Sequence, residues 1–307
     1  MPPEAATPVP SWVAASETSV DASVPPGAAA SRPSVAASVP PGVAEPFPPE
    51  TSRQVCASAV TEPGAPFDIV EGPEVPEALE VLEVGPGLGA LTRPLLNLGL
   101  RVRAVELDRG LHAELVKWPE ASSGLLNAVQ ADILEVDAAR AFPAGIACVC
   151  GNLPYGISTP FLFWFLEAFG GRVPGVFMLQ KEVAERLAAK PGGREYGRLS
   201  VALGSWFDAS EAFALGPGSF HPRPKVDSAV AVLRPKGEVP PVTPAVLARI
   251  TKLCFHSRRK TLANNLTAAC GREKALATLD ALGMDGGRRP EEFPPEDYQR
   301  LALALKF

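Results

Sequence analysis

Glu80-Val81-Leu82-Glu83-Val84-Gly85-Pro86-Gly87-Leu88-Gly89-Ala90 decides how this chain is built. Residues 80–84 are rich in β-branched and long apolar side chains and read as a buried strand. Residues 85–89 hold three glycines and read as a tight turn. Residues 88–98 carry apolar side chains at helical spacing and stop at Gly99. A strand that turns on glycines into a helix opens a βαβ unit, and the missing Cβ atoms let a ligand come close to the backbone there.

The pattern repeats outward. Residues 101–107 alternate as a second strand, with a helix near 111–118. Residues 127–131 and 147–151 read as strands three and four, and helix 159–169, strand 175–179 and helix 181–189 follow. This alternation predicts a Rossmann-like α/β domain, a parallel sheet covered on both faces. Two more β runs, 199–207 and 226–233, have no long helix between them and predict an antiparallel hairpin at the sheet edge. From Pro244 the texture is helical, with spans at 244–255, 258–269, 273–282 and 296–305, which predicts a small C-terminal α-helical domain. The first 66 residues are rich in Ala, Pro, Ser and Val, with near-repeats Val24-Pro25-Pro26-Gly27 and Val39-Pro40-Pro41-Gly42. Such sequence cannot offset its ordering entropy by burial and is expected to be disordered. The expected division is an extension at 1–66, a sheet domain at 67–236 and a helical domain at 237–307.

The formal net charge of −5 is unevenly spread over the 307 residues. Residues 1–80 hold 16 of the 34 prolines and 11 acidic residues against Arg32 and Arg53. Residues 81–307 hold 27 Lys and Arg against 23 Asp and Glu. A mildly basic body suits a polyanionic partner, though many such surfaces are only solvated. Cys56, Cys148, Cys150, Cys254 and Cys270 form no Cys-x-x-Cys pair, and His112, His221 and His256 are scattered, so no metal site is expected. The odd cysteine count without a framework suits a reducing compartment. The N-terminus lacks a basic region followed by an apolar run, and the longest apolar stretch, 161–169, is broken by Glu167 and too short for a bilayer. A cytoplasmic monomer without membrane contact is expected.

Carboxylates stand at successive strand ends. Glu106 lies 19 residues after Gly87, where a carboxylate accepts from two adjacent ribose hydroxyls. Glu83, Gly85, Gly87, Glu106 and Leu107 are candidate cofactor residues on this reading. Gly85-x-Gly87-x-x-Ala90 followed by that acid equally fits a nicotinamide-dinucleotide fingerprint, and a glycine turn without a ligand is the plain alternative. Asp132, in Ala131-Asp132-Ile133-Leu134, accepts from an adenine amino group while Ile133 packs on the ring, or else caps a helix. Ligands in these sheets bind at the carboxyl ends of strands, where Gly85, Glu106, Asp132 and Asn152 all fall.

Gly151-Asn152-Leu153-Pro154-Tyr155 ends strand four. The exocyclic nitrogen of adenine is a poor nucleophile, because its lone pair is delocalised into the ring. Two acceptors for its two hydrogens would localise that pair toward a sulfonium methyl. Asn152 offers a side-chain amide oxygen, and Pro154 fixes the chain so that the carbonyl of Leu153 or of Pro154 offers the second. Tyr155 offers a flat face to a base taken out of its stack. Positioning carries most of this catalysis and no strong general base is evident; an Asn-x-Pro turn is the plain alternative. In Ser219-Phe220-His221-Pro222-Arg223-Pro224-Lys225-Val226-Asp227-Ser228, Phe220 suits an opposite wall, and Arg223 and Lys225 suit phosphates. The plain alternative is a proline-stiffened loop whose Phe packs on the core.

Together these segments resemble the ribosomal RNA adenine dimethyltransferase family, which modifies two adjacent adenosines near the 3′ end of small-subunit rRNA. Leu179-Gln180-Lys181-Glu182-Val183, Glu195-Tyr196-Gly197-Arg198-Leu199-Ser200 and Phe255-His256-Ser257-Arg258-Arg259-Lys260-Thr261-Leu262 add to the match, in family order over roughly residues 80–307. The resemblance implies a fold of the S-adenosylmethionine-dependent methyltransferase type and S-adenosylmethionine as cofactor. It implies Gly85, Glu106 and Asp132 on that cofactor, Asn152 and Tyr155 at the target adenine, and Phe220 facing it. It also implies that the helical domain grips a pre-assembled small ribosomal subunit, with Arg258, Arg259 and Lys260 as RNA contacts. Asn-Leu-Pro-Tyr and Gly-Pro-Gly favour this branch over the similar large-subunit rRNA methyltransferases. The family's basic stretch with a Gly-Gln-x-Phe-Leu type segment is missing ahead of the glycine turn, where Gln54-Val55-Cys56 leads into acidic sequence. Weakened cofactor binding is the expectation, and a non-catalytic ribosome-assembly or nucleic-acid-binding factor on the same fold is the alternative.

Overall fold

Glu80–Val84 is strand β1, buried along its whole length, as a central strand covered on both faces must be. The computed structural model describes residues 80–142, 145–220 and 224–306. The extension at 1–66, Cys56 and the Gln54 segment lie outside the described residues, as do His221, Pro222 and Arg223. From β1 the chain runs through helix α1 (Thr92–Asn97), β2 (Arg101–Glu106), α2 (Arg109–Leu115), α3 (Pro119–Ser122) and β3 (Leu126–Gln130). It continues through α4 (Ala138–Ala141), β4 (Ile146–Asn152), α5 (Ser158–Phe169), β5 (Gly175–Gln180), α6 (Lys181–Ala188) and α7 (Arg198–Gly204). The β6 (Phe207–Leu215) and β7 (Ser228–Pro235) strands precede helices α8 (Pro244–Cys254), α9 (Leu262–Cys270), α10 (Arg272–Ala281) and α11 (Pro295–Leu305).

The seven strands form one sheet in the order β3-β2-β1-β4-β5-β7-β6. β1 through β5 pair in parallel, β7 runs antiparallel to β5, and β6 antiparallel to β7. The order reverses between β1 and β4, so the crevice outside their carboxyl ends is the topological switch point where such sheets take ligands. Gly151 fixes how closely these strands approach. A Cβ there would fall under 3.0 Å from the Val84 carbonyl oxygen and 3.3 Å from its carbon. On the β5 side, Phe161 and Phe165 of α5 meet Phe177 edge-on at 5.1 and 5.2 Å, and Phe165 stacks on Phe207 at 5.4 Å. Each such pair adds roughly 0.5–1.5 kcal/mol beyond its buried area.

The parallel sheet, the edge hairpin and the C-terminal helices follow the sequence reading, with three corrections. Residues 199–207 are not the first hairpin strand: Arg198–Gly204 is helix α7, and β6 begins only at Phe207. A short apolar run buried on all sides looks the same as helix or strand. Ser200 decides it locally, because its Oγ accepts from the Gly197 amide (3.1 Å) and donates to the Arg186 carbonyl (2.5 Å). The first helix is shorter than 88–98, since residues up to Leu91 are spent on turns around Gly89. Residues 258–260 are loop, because Thr261 Oγ1 accepts from the Asn264 amide (3.3 Å) and starts α9 at Leu262. The C-terminal helices are docked on the sheet domain through α8 against α7, and the Tyr196 hydroxyl donates to the Phe293 carbonyl at 3.0 Å.

Candidate active site

The glycine turn leaves β1 with Gly85 at φ +69°, Gly87 at +58° and Gly89 at +83°, which side chains with a Cβ rarely adopt. A Cβ on Gly87 would meet nothing within 4 Å, so this part of the turn borders open space. The Gly87 amide donates to Glu106 Oε2 (3.0 Å), and Glu106 Oε1 accepts from the Asp108 amide (2.9 Å). The buried acid at the end of β2 thus fixes the turn with one oxygen and its own following loop with the other. A carboxylate has about four lone-pair positions, so acceptor capacity for hydroxyls remains. Leu88 in the glycine turn and Leu107 just past β2 are 82% and 66% exposed. Two large apolar side chains held in solvent beside a polar turn are suited to flank a flat ring.

Trp118 completes the turn, and the sequence carried no hint of it. A Cβ on Gly89 would run into the Trp118 ring. Arg93 covers that ring, 3.5 Å from its centroid, and pairs with Glu120 at 2.9 Å. The β2–β3 connection therefore braces the turn after β1, a contact that no spacing rule announces. Asp132 Oδ1 accepts from the Leu134 amide (2.9 Å), so it does cap the short 3-10 turn Ile133–Glu135, and Ile133 is buried.

Glu83, the penultimate residue of β1, is only 1% exposed. Its Oε2 has no hydrogen-bond partner among the described residues. Burial pushes its carboxyl up to about 7, and the charge of Glu106 adds to the rise. The Thr92 hydroxyl and backbone amide oppose the rise as nearby donors, although Thr92 Oγ1 completes no hydrogen bond among the described residues.

At the end of β4, Asn152 is exposed and Leu153 is buried, with the Leu153 amide donating to the Met178 carbonyl of β5 (3.2 Å). The Pro154 carbonyl accepts from the Ile157 amide (3.1 Å) and from Ser158 Oγ (3.3 Å). The sequence left the Leu153 and Pro154 carbonyls as equal candidates for the second acceptor; only that of Pro154 is engaged by this turn. Tyr155 Oη lies 2.8 Å from the buried Ser228 Oγ at the start of β7. That bond ties the aromatic ring to β7, two strands away in the sheet, a role that the sequence gives Ser228 no sign of. Phe220 is half-buried in the β6–β7 connection, and Lys225 is exposed there. Gly85 joins the two halves: a Cβ on it would sit 3.8 Å from the Asn152 carbonyl oxygen and 3.9 Å from Pro154 Cδ.

The expected RNA contacts divide. Arg258, Arg259 and Lys260 are all exposed, but Arg258 also donates to the carbonyls of Arg194 (2.8 Å) and Tyr196 (2.9 Å). A cavity of about 530 Å³ lined by Glu80, Arg101, Arg103 and Leu126 lies at the opposite, amino-terminal end of the strands, where Arg103 and Glu80 neutralise each other at 2.8 Å.

A nucleoside carrying a positive charge suits the switch-point donor set. Glu106 keeps acceptor capacity, Glu83 holds a buried oxygen with no hydrogen-bond partner among the described residues, and the turn borders open space at Gly87. With this turn on this sheet, the chain is a Rossmann-like methyltransferase. Residues 65–306 match the family model described as Ribosomal RNA adenine dimethylase, and the chain belongs to that family. Ribosomal RNA small subunit methyltransferase A of Legionella pneumophila (strain Lens) is 45% identical over 224 residues, covering 72% of this chain and 85% of the relative. Its namesake from Myxococcus xanthus is 44% identical over 230 residues, covering 73% and 80%. A dimethyladenosine transferase from Plasmodium falciparum shares the fold at TM-score 0.64 and 23% identity, covering 84% of this chain and 96% of that one. The 23S rRNA methyltransferase ErmE aligns at TM-score 0.57 and 26% identity, covering 84% and 98%.

Proposed function

We propose that this chain transfers methyl groups from S-adenosylmethionine to N6 of two adjacent adenosines near the 3′ end of small-subunit rRNA, acting in the cytoplasm on a pre-assembled subunit. The observation that carries the chemistry is the division of labour at Asn152-Leu153-Pro154. The Pro154 carbonyl is spent on Ile157 and Ser158, and the Asn152 amide is exposed. Asn152 Oδ1 and the Leu153 carbonyl are then the acceptor pair for the two hydrogens of an adenine amino group. S-adenosylmethionine supplies, when bound, an electrophilic methyl group on a positively charged sulfur. Glu106 accepts from its ribose hydroxyls, Gly85 and Gly87 give its backbone-side approach, and Asp132 and Ile133 border its adenine. Tyr155, anchored on Ser228, offers its ring to the target base, and Phe220 with Lys225 approaches from the β6–β7 connection. Alignment of a weak nucleophile against a bound methyl donor accounts for catalysis of this type without a strong base.

The test is labelled-methyl transfer to unmethylated small subunits, with mass spectrometry of the rRNA. The wild-type chain should produce dimethyladenosine at two neighbouring positions. Asn152→Ala should lose transfer by at least about 10²-fold, the scale of a lost positioning contact, while still binding subunits. A wild-type chain that binds subunits but transfers no methyl group would instead identify a non-catalytic assembly factor.

A further inference from the structure

Glu83 is a carboxyl group in a place that only a cation or a proton makes tolerable. It is 1% exposed, and Oε2 has no hydrogen-bond partner among the described residues. Its neighbours offer no compensating charge. On β2 the facing titratable group is Glu106, a second carboxylate, and on β4 the residue in register with Glu83 is Cys150, a buried thiol. From α1 it meets Thr92, and the adjacent Arg93 is engaged with Trp118 and Glu120 instead. Burying an unpaired carboxylate next to another acid is costly enough that the group keeps its proton. Glu83 stands two residues before Gly85, at the carboxyl end of β1, and its carboxyl feels Glu106, whose other contacts hold the Gly87 amide.

We infer that Glu83 holds a proton while the cleft lacks a cation and releases it to solvent when S-adenosylmethionine binds, so that cofactor binding is coupled to the loss of one proton. The inference rests on the cofactor reading given above. The step is an acid–base exchange: the O–H bond of the carboxylic acid breaks, the proton leaves to buffer, and the carboxylate faces the positive charge of the ligand. Glu106 is already held by two backbone amides and stays the ribose acceptor throughout. The carboxyl value of about 7 puts this exchange in the physiological range.

The experiment is titration calorimetry of the full chain with S-adenosylmethionine in buffers of different ionisation enthalpy, between about pH 5.5 and about pH 7.5. In that window the ligand's own α-amino group, with an ordinary value near 7.7–8.0, stays largely protonated. The wild-type chain should release close to one proton at the acid end and progressively less toward the neutral end, and its affinity should rise roughly tenfold per pH unit below the carboxyl value. Glu83→Gln, a neutral isostere, should bind with no proton release and a flat pH dependence. Binding by the wild type without proton release, or the same release from Glu83→Gln, overturns the inference while leaving the cofactor reading intact. No binding at any pH overturns both. Repeating the titration with S-adenosylhomocysteine, which keeps the ammonium and lacks the sulfonium, assigns the partner: equal release points to the ammonium, and release with the methyl donor alone points to the sulfonium.

Discussion

Replacing Gly151 by alanine adds one methyl group at the seam between the two halves of the site. The new Cβ would stand under 3.0 Å from the Val84 carbonyl oxygen, 3.3 Å from the Val84 carbonyl carbon and 3.4 Å from Leu153 Cδ2, where ordinary contact begins at 3.4 Å. The obstacle is backbone, and β1 is pinned on its other side by the parallel ladder to β2, so it cannot swing away. β1 and β4 must therefore separate by several tenths of an ångström or more. Overpacking of this kind costs about 1–3 kcal/mol. For a chain of this size, that lowers Tm by roughly 2–4 °C per kcal/mol. The larger effect falls on the reaction, because Gly85 follows Val84 and Asn152 follows Gly151. Widening the seam moves the methyl donor away from the acceptor pair, and a misplacement of about 1 Å costs on the order of 10²-fold in rate. Thermal melts and methyl transfer on unmethylated subunits measure the two consequences side by side. Gly156→Ala is the control: an added Cβ meets nothing within 4 Å there, so both quantities should stay near wild type. If Gly151→Ala melts and turns over like Gly156→Ala, the seam does not hold the two halves in register.

Three further outcomes are expected. Arg258→Ala loses two hydrogen bonds to backbone carbonyls and should destabilise the fold by about 1 kcal/mol in denaturant unfolding, whereas Arg259→Ala and Lys260→Ala should leave stability unchanged. Arg259→Ala and Lys260→Ala should instead each weaken subunit binding and lower its salt slope by about one, and unchanged slopes would remove both from the RNA-facing surface. Glu83 should also give stability a pH slope. In the unfolded chain its carboxyl loses its proton near the ordinary 4.5, and in the folded chain only near 7. Between those values the folded state binds more protons than the unfolded one, so stability falls as pH rises, by up to about 3 kcal/mol in total. Urea unfolding at about pH 5 and about pH 8 should show this loss in the wild type and not in Glu83→Gln, and parallel behaviour of the two proteins would disprove it.

How much of this was legible in the sequence depended on whether the deciding contact is local. Strands β1, β4 and β5 announced themselves because parallel strands covered on both faces read as near-continuous apolar runs, and β2 because it alternates between glycine and proline turns. The ends of β1, β2 and β4 were legible for the same reason, and with them Gly85, Glu106 and Asn152. α7 was misread because Leu199–Leu203 is buried on every side, which erases the periodicity that separates helix from strand. Thr261 is an ordinary N-cap, yet the basic run before it looked like the first turn of the helix it caps. Asp132 shows a true ambiguity, since its Oδ1 caps the following turn while its place at the end of β3 is unchanged. Trp118 under Gly89 and Ser228 beneath Tyr155 were invisible, as each depends on elements distant in sequence meeting across the sheet edge or face.

The Asn152 turn shows what the structure adds to such a reading. From sequence, two carbonyls could have served as the second acceptor, and nothing in Asn-Leu-Pro-Tyr separates them. The fold gives the Pro154 carbonyl two donors, since Ile157 just before α5 and Ser158 at its start both donate to it, and this supports the proposed role of the Leu153 carbonyl. Leu153 is fixed from two directions, by its buried side chain and by its amide on Met178. Its carbonyl is thereby held in place, and among the described residues the turn's donors Ile157 and Ser158 go to Pro154 instead. An acceptor of that kind costs no reorganisation when an amino group arrives, which is the condition under which a preorganised dipole is most effective in catalysis.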